Sequence, residues 1–146
     1  MPHKILAESL LLPELRLVKA RKWGLSRFLY CEKRSEAEVC PKCATLSSSG
    51  YDKRQVEIKD SPMRNHSVRL IITKRRFYCK PCKKPFTEPV NGILPRRRTT
   101  QRYRAQLLWA CENYTDLKRV TRKFRCSSGG PVVEFRHTVT RIPSQN

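Results

Sequence analysis

The sequence predicts an α+β chain: a small β-hairpin, then a β-ribbon pinned between two cysteine pairs, then a short helical module. Three features carry this reading. Two apolar-alternating segments, 15–20 and 27–31, flank the turn-forming Arg21-Lys22-Trp23-Gly24. Two C-x-x-C pairs, Cys40/Cys43 and Cys79/Cys82, bracket residues of period-two alternation. Beyond Arg98 the apolar residues recur at helical spacing.

Each element has its own signal. A short helix is expected over 4–12, and 32–38 reads as a polar linker of mixed charge. Ser47-Ser48-Ser49-Gly50 marks a turn, 55–60 alternates as a strand, and Ser61-Pro62 is expected to break it. After a turn through Asn65, residues 68–78 form a β-branched and aromatic run that leads straight into Cys79-Lys80-Pro81-Cys82. A Pro/Gly-containing connector covers 89–95. Thr99 or Thr100 then caps a helix whose face is Tyr103, Leu107, Cys111 and Tyr114. Thr115 is expected to cap a second helix, with Asp116 in its first turn and Leu117, Val120 and Phe124 on its face. The polar corner Cys126-Ser127-Ser128 would follow, so the helices read as an incomplete helix-turn-helix. A third helix could start only with Gly130 as cap and Pro131 as first residue, and the valines and threonines beyond are poor helix formers.

Composition narrows the partners. The chain has 146 residues, 32 Lys plus Arg against 12 Asp plus Glu, a formal net charge of +20 and a pI near 10.3. Such an excess attracts polyanions, with RNA, DNA and an anionic membrane as candidates. No run approaches the ~18 apolar residues of a membrane span. Leu10-Leu11-Leu12 is too short for a secretory apolar region and meets Pro13 and Glu14 at once, so the protein is read as cytosolic.

Seven cysteines, four of them in C-x-x-C pairs, point in a reducing compartment to metal in place of disulfides. Two thiolates separated by two residues bite one ion from a single tight turn, and two such turns complete a tetrahedral shell. Cys40, Cys43, Cys79 and Cys82 are therefore the expected ligands of one Zn²⁺, with 35 residues between the pairs for a strand–turn–strand excursion. Pro41 and Pro81 stiffen the turns. Lys42, Lys80, Lys83 and Lys84 would favour thiolate and offset the charge of a four-sulfur centre. Iron is the alternative metal, since tetrahedral sulfur suits both. A filled shell leaves no position for water, so the centre is expected to be structural. Cys31, Cys111 and Cys126 sit singly and read as packed thiols, while His3, His66 and His137 show no ligand spacing.

Ten basic residues crowd the helical region: Arg96, Arg97, Arg98, Arg102, Arg104, Lys118, Arg119, Arg122, Lys123 and Arg125, opposed only by Glu112 and Asp116. A second group, Arg69, Lys74, Arg75 and Arg76, lies on the ribbon's second strand. Clustered Lys and Arg neutralise phosphates and release counterions, and a guanidinium can fork onto guanine edges. The expected DNA-binding residues are these ten together with Arg75 and Arg76. Trp23, Phe77, Tyr78, Phe86 and Trp109 are read as core.

Cys40-Pro41-Lys42-Cys43, the strand ending in Arg75-Arg76-Phe77-Tyr78-Cys79-Lys80-Pro81-Cys82, and Phe86-Thr87-Glu88 resemble the N-terminal zinc-binding region of the ISL-three family of bacterial insertion-sequence transposases. The segment 109–118 is similar to the helix-turn-helix that follows in that family. The resemblance covers about 10–127. It implies recognition of transposon terminal inverted repeats by this region, and strand transfer by a downstream RNase-H-like domain with three metal-binding carboxylates. Only 129–146 follow here, with Glu134 as their single acid. The expectation is thus a truncated or frameshifted transposase product without catalytic activity.

The resulting layout is an N-terminal segment with a β-hairpin at 1–38, a zinc-ribbon domain at 39–88, a helix-turn-helix-like module at 96–128 and a divergent, disordered tail at 129–146. Expected partners are DNA and either a second copy of the chain or an intact transposase. The alternatives are a stand-alone zinc-ribbon regulator or RNA-binding protein, and a small iron redox protein. A nuclease fits least, because Asp52, Asp60, Glu88 and Asp116 make no cluster in sequence.

Overall fold

The computed structural model describes residues 12–125. Strands β1 (Leu15–Trp23) and β2 (Ser26–Lys33) form the expected hairpin, with a register shift between Leu17 and Lys19. Gly24, at positive φ, opens its two-residue loop, the position that favours glycine in a tight hairpin turn. Short strands β3 (Glu38–Val39) and β4 (Leu46–Ser47) pair with each other. The long ribbon is β5 (Gly50–Met63) against β6 (His66–Cys79), and β7 (Lys84–Thr87) returns along the end of β6.

The hairpin and the ribbon share one five-stranded sheet, in the order β1-β2-β6-β5, with β7 also on β6. β2 runs parallel to β6 over Ser67–Thr73, whereas β7 lies antiparallel to it over Arg76–Cys79. Since β5 occupies the other edge, β2 and β7 divide one edge of β6 between them. Glu88 sits where they meet. Its N–H donates to the Arg75 carbonyl (3.0 Å), and its carboxylate accepts from the Arg75 N–H (2.8 Å) and from the Arg75 guanidinium. A buried backbone donor at a break in the ladder needs such a partner, and a side chain supplies it.

One face of the sheet carries the core. Leu15 and Leu17, Leu29 and Cys31, and Val68, Leu70 and Ile72 alternate inward on three strands and meet Ile58. The connector after β7 folds back over them and contributes Val90 and Ile93. The expected break at Ser61-Pro62 does not end the strand. β5 continues to Met63 across a register shift between Asp60 and Met63 that leaves Ser61 and Pro62 without ladder partners. A proline, which has no N–H to donate, is tolerated at such an irregularity.

Helices α1 (Gln101–Asn113) and α2 (Leu117–Phe124) enclose a second small core of Tyr103, Leu107, Ala110, Val120 and Phe124. Thr100 caps α1, its hydroxyl accepting from the Tyr103 N–H. The cap of α2 is Asp116 and not Thr115, with its carboxylate accepting from the Lys118 N–H; the carboxylate satisfies an orphan amide while meeting the positive end of the helix. The helix expected at 4–12, except for Leu12, and everything expected beyond Arg125 lie outside the described residues.

Candidate metal centre and basic surface

Both C-x-x-C pairs sit in hairpin loops. The first loop joins β3 to β4, and the second joins Cys79 to its ladder partner Lys84. Cys40 and Cys79 stand at strand ends and are buried; Cys43 lies on its loop and is exposed, and Cys82 is half-buried. The chain reverses the same way after each pair, with Ala44 (φ 56°) and Lys83 (φ 52°) in the left-handed region. The Ala44 N–H donates to the Cys40 carbonyl (2.9 Å) and the Lys83 N–H to the Lys80 carbonyl (3.3 Å). Two further bonds dock β4 and the residues after it on the end of β6: the Ser47 hydroxyl donates to the Tyr78 carbonyl (2.7 Å), and the Tyr78 N–H to the Ser49 carbonyl (2.9 Å).

The four sulfurs thereby lie within 4.8 Å of one another. Across the loops Cys43 is 3.4 Å from Cys79, and Cys40 is 4.0 Å from Cys82. A tetrahedral zinc centre with Zn–S bonds of about 2.3 Å spaces its sulfurs by about 3.8 Å, so the donor set and spacing fit one such ion. Local hydrogen bonds prepare the charge. Cys43 is lowered to about 6, first by the Thr45 hydroxyl and then by the Thr45 backbone, and Cys40 is lowered by the backbone N–H groups of Cys43 and Lys42. Cys82 is pushed up to about 12, by its contact with Cys43 and by burial. Four sulfurs this close cannot all ionise unless a cation sits among them. Thr45, Ser47 and Glu88 were not among the expected site residues; a hydroxyl two residues after a knuckle cysteine is the signal that could have found Thr45.

Among the described residues, the two other thiols, Cys31 and Cys111, lie outside this cluster. Cys31 is part of the sheet core, where burial pushes it up to about 12, and Cys111 lies against the helical core. His66 turns its Nδ1 to the Arg64 carbonyl (2.8 Å).

The twelve expected DNA-binding residues fall into separate groups. Arg75 is forked onto the buried Glu88, and Arg76 pairs with Asp52 (3.1 Å) while lying over the Tyr51 ring. Arg102 is forked onto the buried Asp60. Arg96, Arg97 and Arg98 are exposed on a loop tied to β5: the Lys59 N–H donates to the Arg98 carbonyl (2.8 Å), and the Thr100 N–H to the Lys59 carbonyl (3.0 Å). Arg104, on α1, is half-buried. Lys118, Arg119, Arg122 and Lys123 line the exposed side of α2, with Arg125 at its end, and Arg119 and Lys123 flank the Tyr114 ring at 5.4 Å. Two aromatic residues expected in the core are outside it. Trp23 is 82% exposed and Trp109 56%. Phe77 is buried as expected, and Phe86 stacks on it.

Residues 36–82 match the family model of the zinc-finger of transposase IS204/IS1001/IS1096/IS1165. That span opens two residues before β3 and closes on Cys82, so it holds all four clustered cysteines. No curated protein and no solved structure matches the chain. Among the described residues no helix is long and apolar enough to cross a membrane.

Proposed function

We propose that this chain is the DNA-binding part of an insertion-sequence transposase, held in shape by one zinc ion and directed at transposon ends. The observation that carries the reading is the convergence of Cys40, Cys43, Cys79 and Cys82 inside the stretch that matches a transposase zinc-finger. Zinc, bound by the four thiolates, would be structural: its shell is complete and admits no water. The ion fastens the β3–β4 loop to the end of the ribbon.

DNA contact is assigned to the exposed Arg96–Arg98 loop and to α2. The α1–α2 pair forms the first part of a helix-turn-helix within a module at 96–128, alongside a zinc-ribbon domain at 39–88 and the hairpin segment at 1–38. Arg75, Arg76 and Arg102 act mainly on the fold, through Glu88, Asp52 and Asp60. Among the described residues the chain offers a binding surface and no carboxylate cluster for cutting. Two-metal phosphodiester chemistry needs converging carboxylates, whereas Asp60, Glu88 and Asp52 are engaged by arginines and Asp116 caps a helix.

The test is a binding titration against a duplex carrying the terminal inverted repeat of a related element and against a scrambled duplex, at fixed salt. Preference for the repeat supports the reading. Equal affinity for both would leave a basic protein without end recognition, and no binding at low salt would end the proposal.

A further inference from the structure

The hairpin tip carries a feature that neither the metal centre nor the helices use. Trp23 is the last residue of β1 and is 82% exposed, and Leu25, across the turn, is 54% exposed. A tryptophan left in water at a strand end is unusual, because its burial would release more apolar surface than that of any other side chain. The surrounding charge is of one sign: from Val18 to Arg27 the sequence holds Lys19, Arg21, Lys22 and Arg27 and no acid.

The tip is also held still. The Ser67 N–H at the start of β6 donates to the Leu25 carbonyl (2.9 Å), and the Ser26 and Ser67 hydroxyls meet at 2.8 Å. Side chains alternate across a strand. Arg21 therefore shares a face with Trp23, while Lys22 and its ladder partner Arg27 occupy the opposite face. Positive charge thus lies on both faces of this edge of the sheet, with an indole at its end.

The tip and the helical basic surface lie at the same end of the sheet, toward its β1 and β5 edges respectively. Ser26 pairs with Ser67, next to the β5–β6 turn at Arg64 and Asn65, and Asn65 lines one shallow concavity together with Tyr114, Arg119 and Lys123. We infer that the β1–β2 tip is a second DNA-contacting element, which sets Arg21 and Lys22 toward phosphates and lays Trp23 against the sugars and base edges of the duplex. Lysine and arginine neutralise phosphates, and an exposed indole covered on binding contributes enough apolar burial to read by substitution. The inference rests on the reading that the chain binds DNA.

The experiment uses the full chain and a mixed-sequence duplex. Trp23→Ala should lower duplex affinity by about tenfold with an unchanged melting temperature, since the side chain buries almost nothing. In a Trp109→Phe variant, Trp23 is the sole tryptophan, and its emission should be quenched as duplex is added. Full affinity in Trp23→Ala, with the unsubstituted chain binding normally, overturns the tip contact and leaves the DNA-binding reading intact. A chain that binds no duplex at all overturns both. Trp23 emission that responds to anionic phospholipid vesicles but not to duplex, or a dimer that Trp23→Ala dissociates without loss of DNA affinity, also overturns it.

Discussion

Arg102, in the first turn of α1, forks onto Asp60 of β5, whose carboxylate is wholly withdrawn from water. Its Nε donates to Oδ1 at 2.7 Å and its terminal nitrogen to Oδ2, while the Thr100 hydroxyl donates to the same Oδ1 at 2.6 Å. One buried acid thus ties the helical module to the sheet, and it does so through the residue that also caps α1. Arg102→Ala would leave that carboxylate uncompensated and should lower stability by about 3–5 kcal/mol, read as thermal or denaturant unfolding. Replacing both partners, as Asp60→Leu with Arg102→Met, should recover much of the loss. If Arg102→Ala instead unfolds like the unsubstituted chain and only weakens DNA binding, Arg102 belongs to the contact surface.

Zinc is expected at one ion per chain by elemental analysis. Its removal should be felt unevenly. The fully buried sheet core skips from Cys31 to Ile58 and from Ile72 to Val90, with only the partly buried Val56 added between them, so the knuckle end depends on the ion while the rest has its own apolar support. Chelation, or Cys79→Ser, should expose the amides of 38–49 to hydrogen exchange and leave those of Val68, Leu70 and Ile72 protected. Structural zinc contributes on the order of 10–16 kcal/mol in finger-like peptides, enough to decide whether such loops fold. Metal-free protein with fully protected knuckle amides would remove zinc from the folding of this region.

Ala44 and Lys83 hold left-handed backbone immediately after the second cysteine of each pair. That conformation costs a residue with a β-carbon about 1–2 kcal/mol, against which glycine loses roughly 0.5–1 kcal/mol of chain entropy. Ala44→Gly and Lys83→Gly should each stabilise the metal-bound protein by up to about 1 kcal/mol. A fall in melting temperature for both would show that the side chains contribute more than the strain costs.

Binding to duplex DNA should weaken steeply with salt. Neutralising ~6 phosphates corresponds to about a thousandfold loss between 50 and 200 mM. Substituting Arg96, Arg97 and Arg98 together by alanine should flatten the logarithmic slope by up to ~3 units. Arg75→Ala should instead destabilise the fold, by stranding Glu88, and leave the slope of the remaining folded protein nearly unchanged. The reverse pattern would exchange the roles of loop and ribbon.

Local features were legible wherever spacing alone carries the chemistry. The doubled C-x-x-C located the four sulfurs that converge, because a two-residue gap fits a single turn and two turns fill a tetrahedron. The hairpin at Gly24, the ribbon strands and the faces of both helices followed from period and turn chemistry. What failed were statements about partners distant in sequence. Asp60 and Glu88 looked like isolated acids among basic residues, and they became buried anchors once Arg102 and Arg75 were folded against them.

The same limit separated the arginines and misplaced the tryptophans. Composition counts charges but does not say which of them are drawn against a buried carboxylate, as Arg75 and Arg102 are. Trp23 and Trp109 were assigned to the core on hydrophobicity, yet the sheet buries its other face and the helices turn Trp109 outward. Spacing and composition alone located the four cysteines that cluster, the strand and helix periods and the sign of the surface. Only the tertiary structure decided that β2 runs parallel to β6, which acids lie inside and which cations remain at the surface. Those choices depend on contacts between residues well separated in sequence, from Arg75 with Glu88 to Asp60 with Arg102 and Ser26 with Ser67, and no local pattern encodes them.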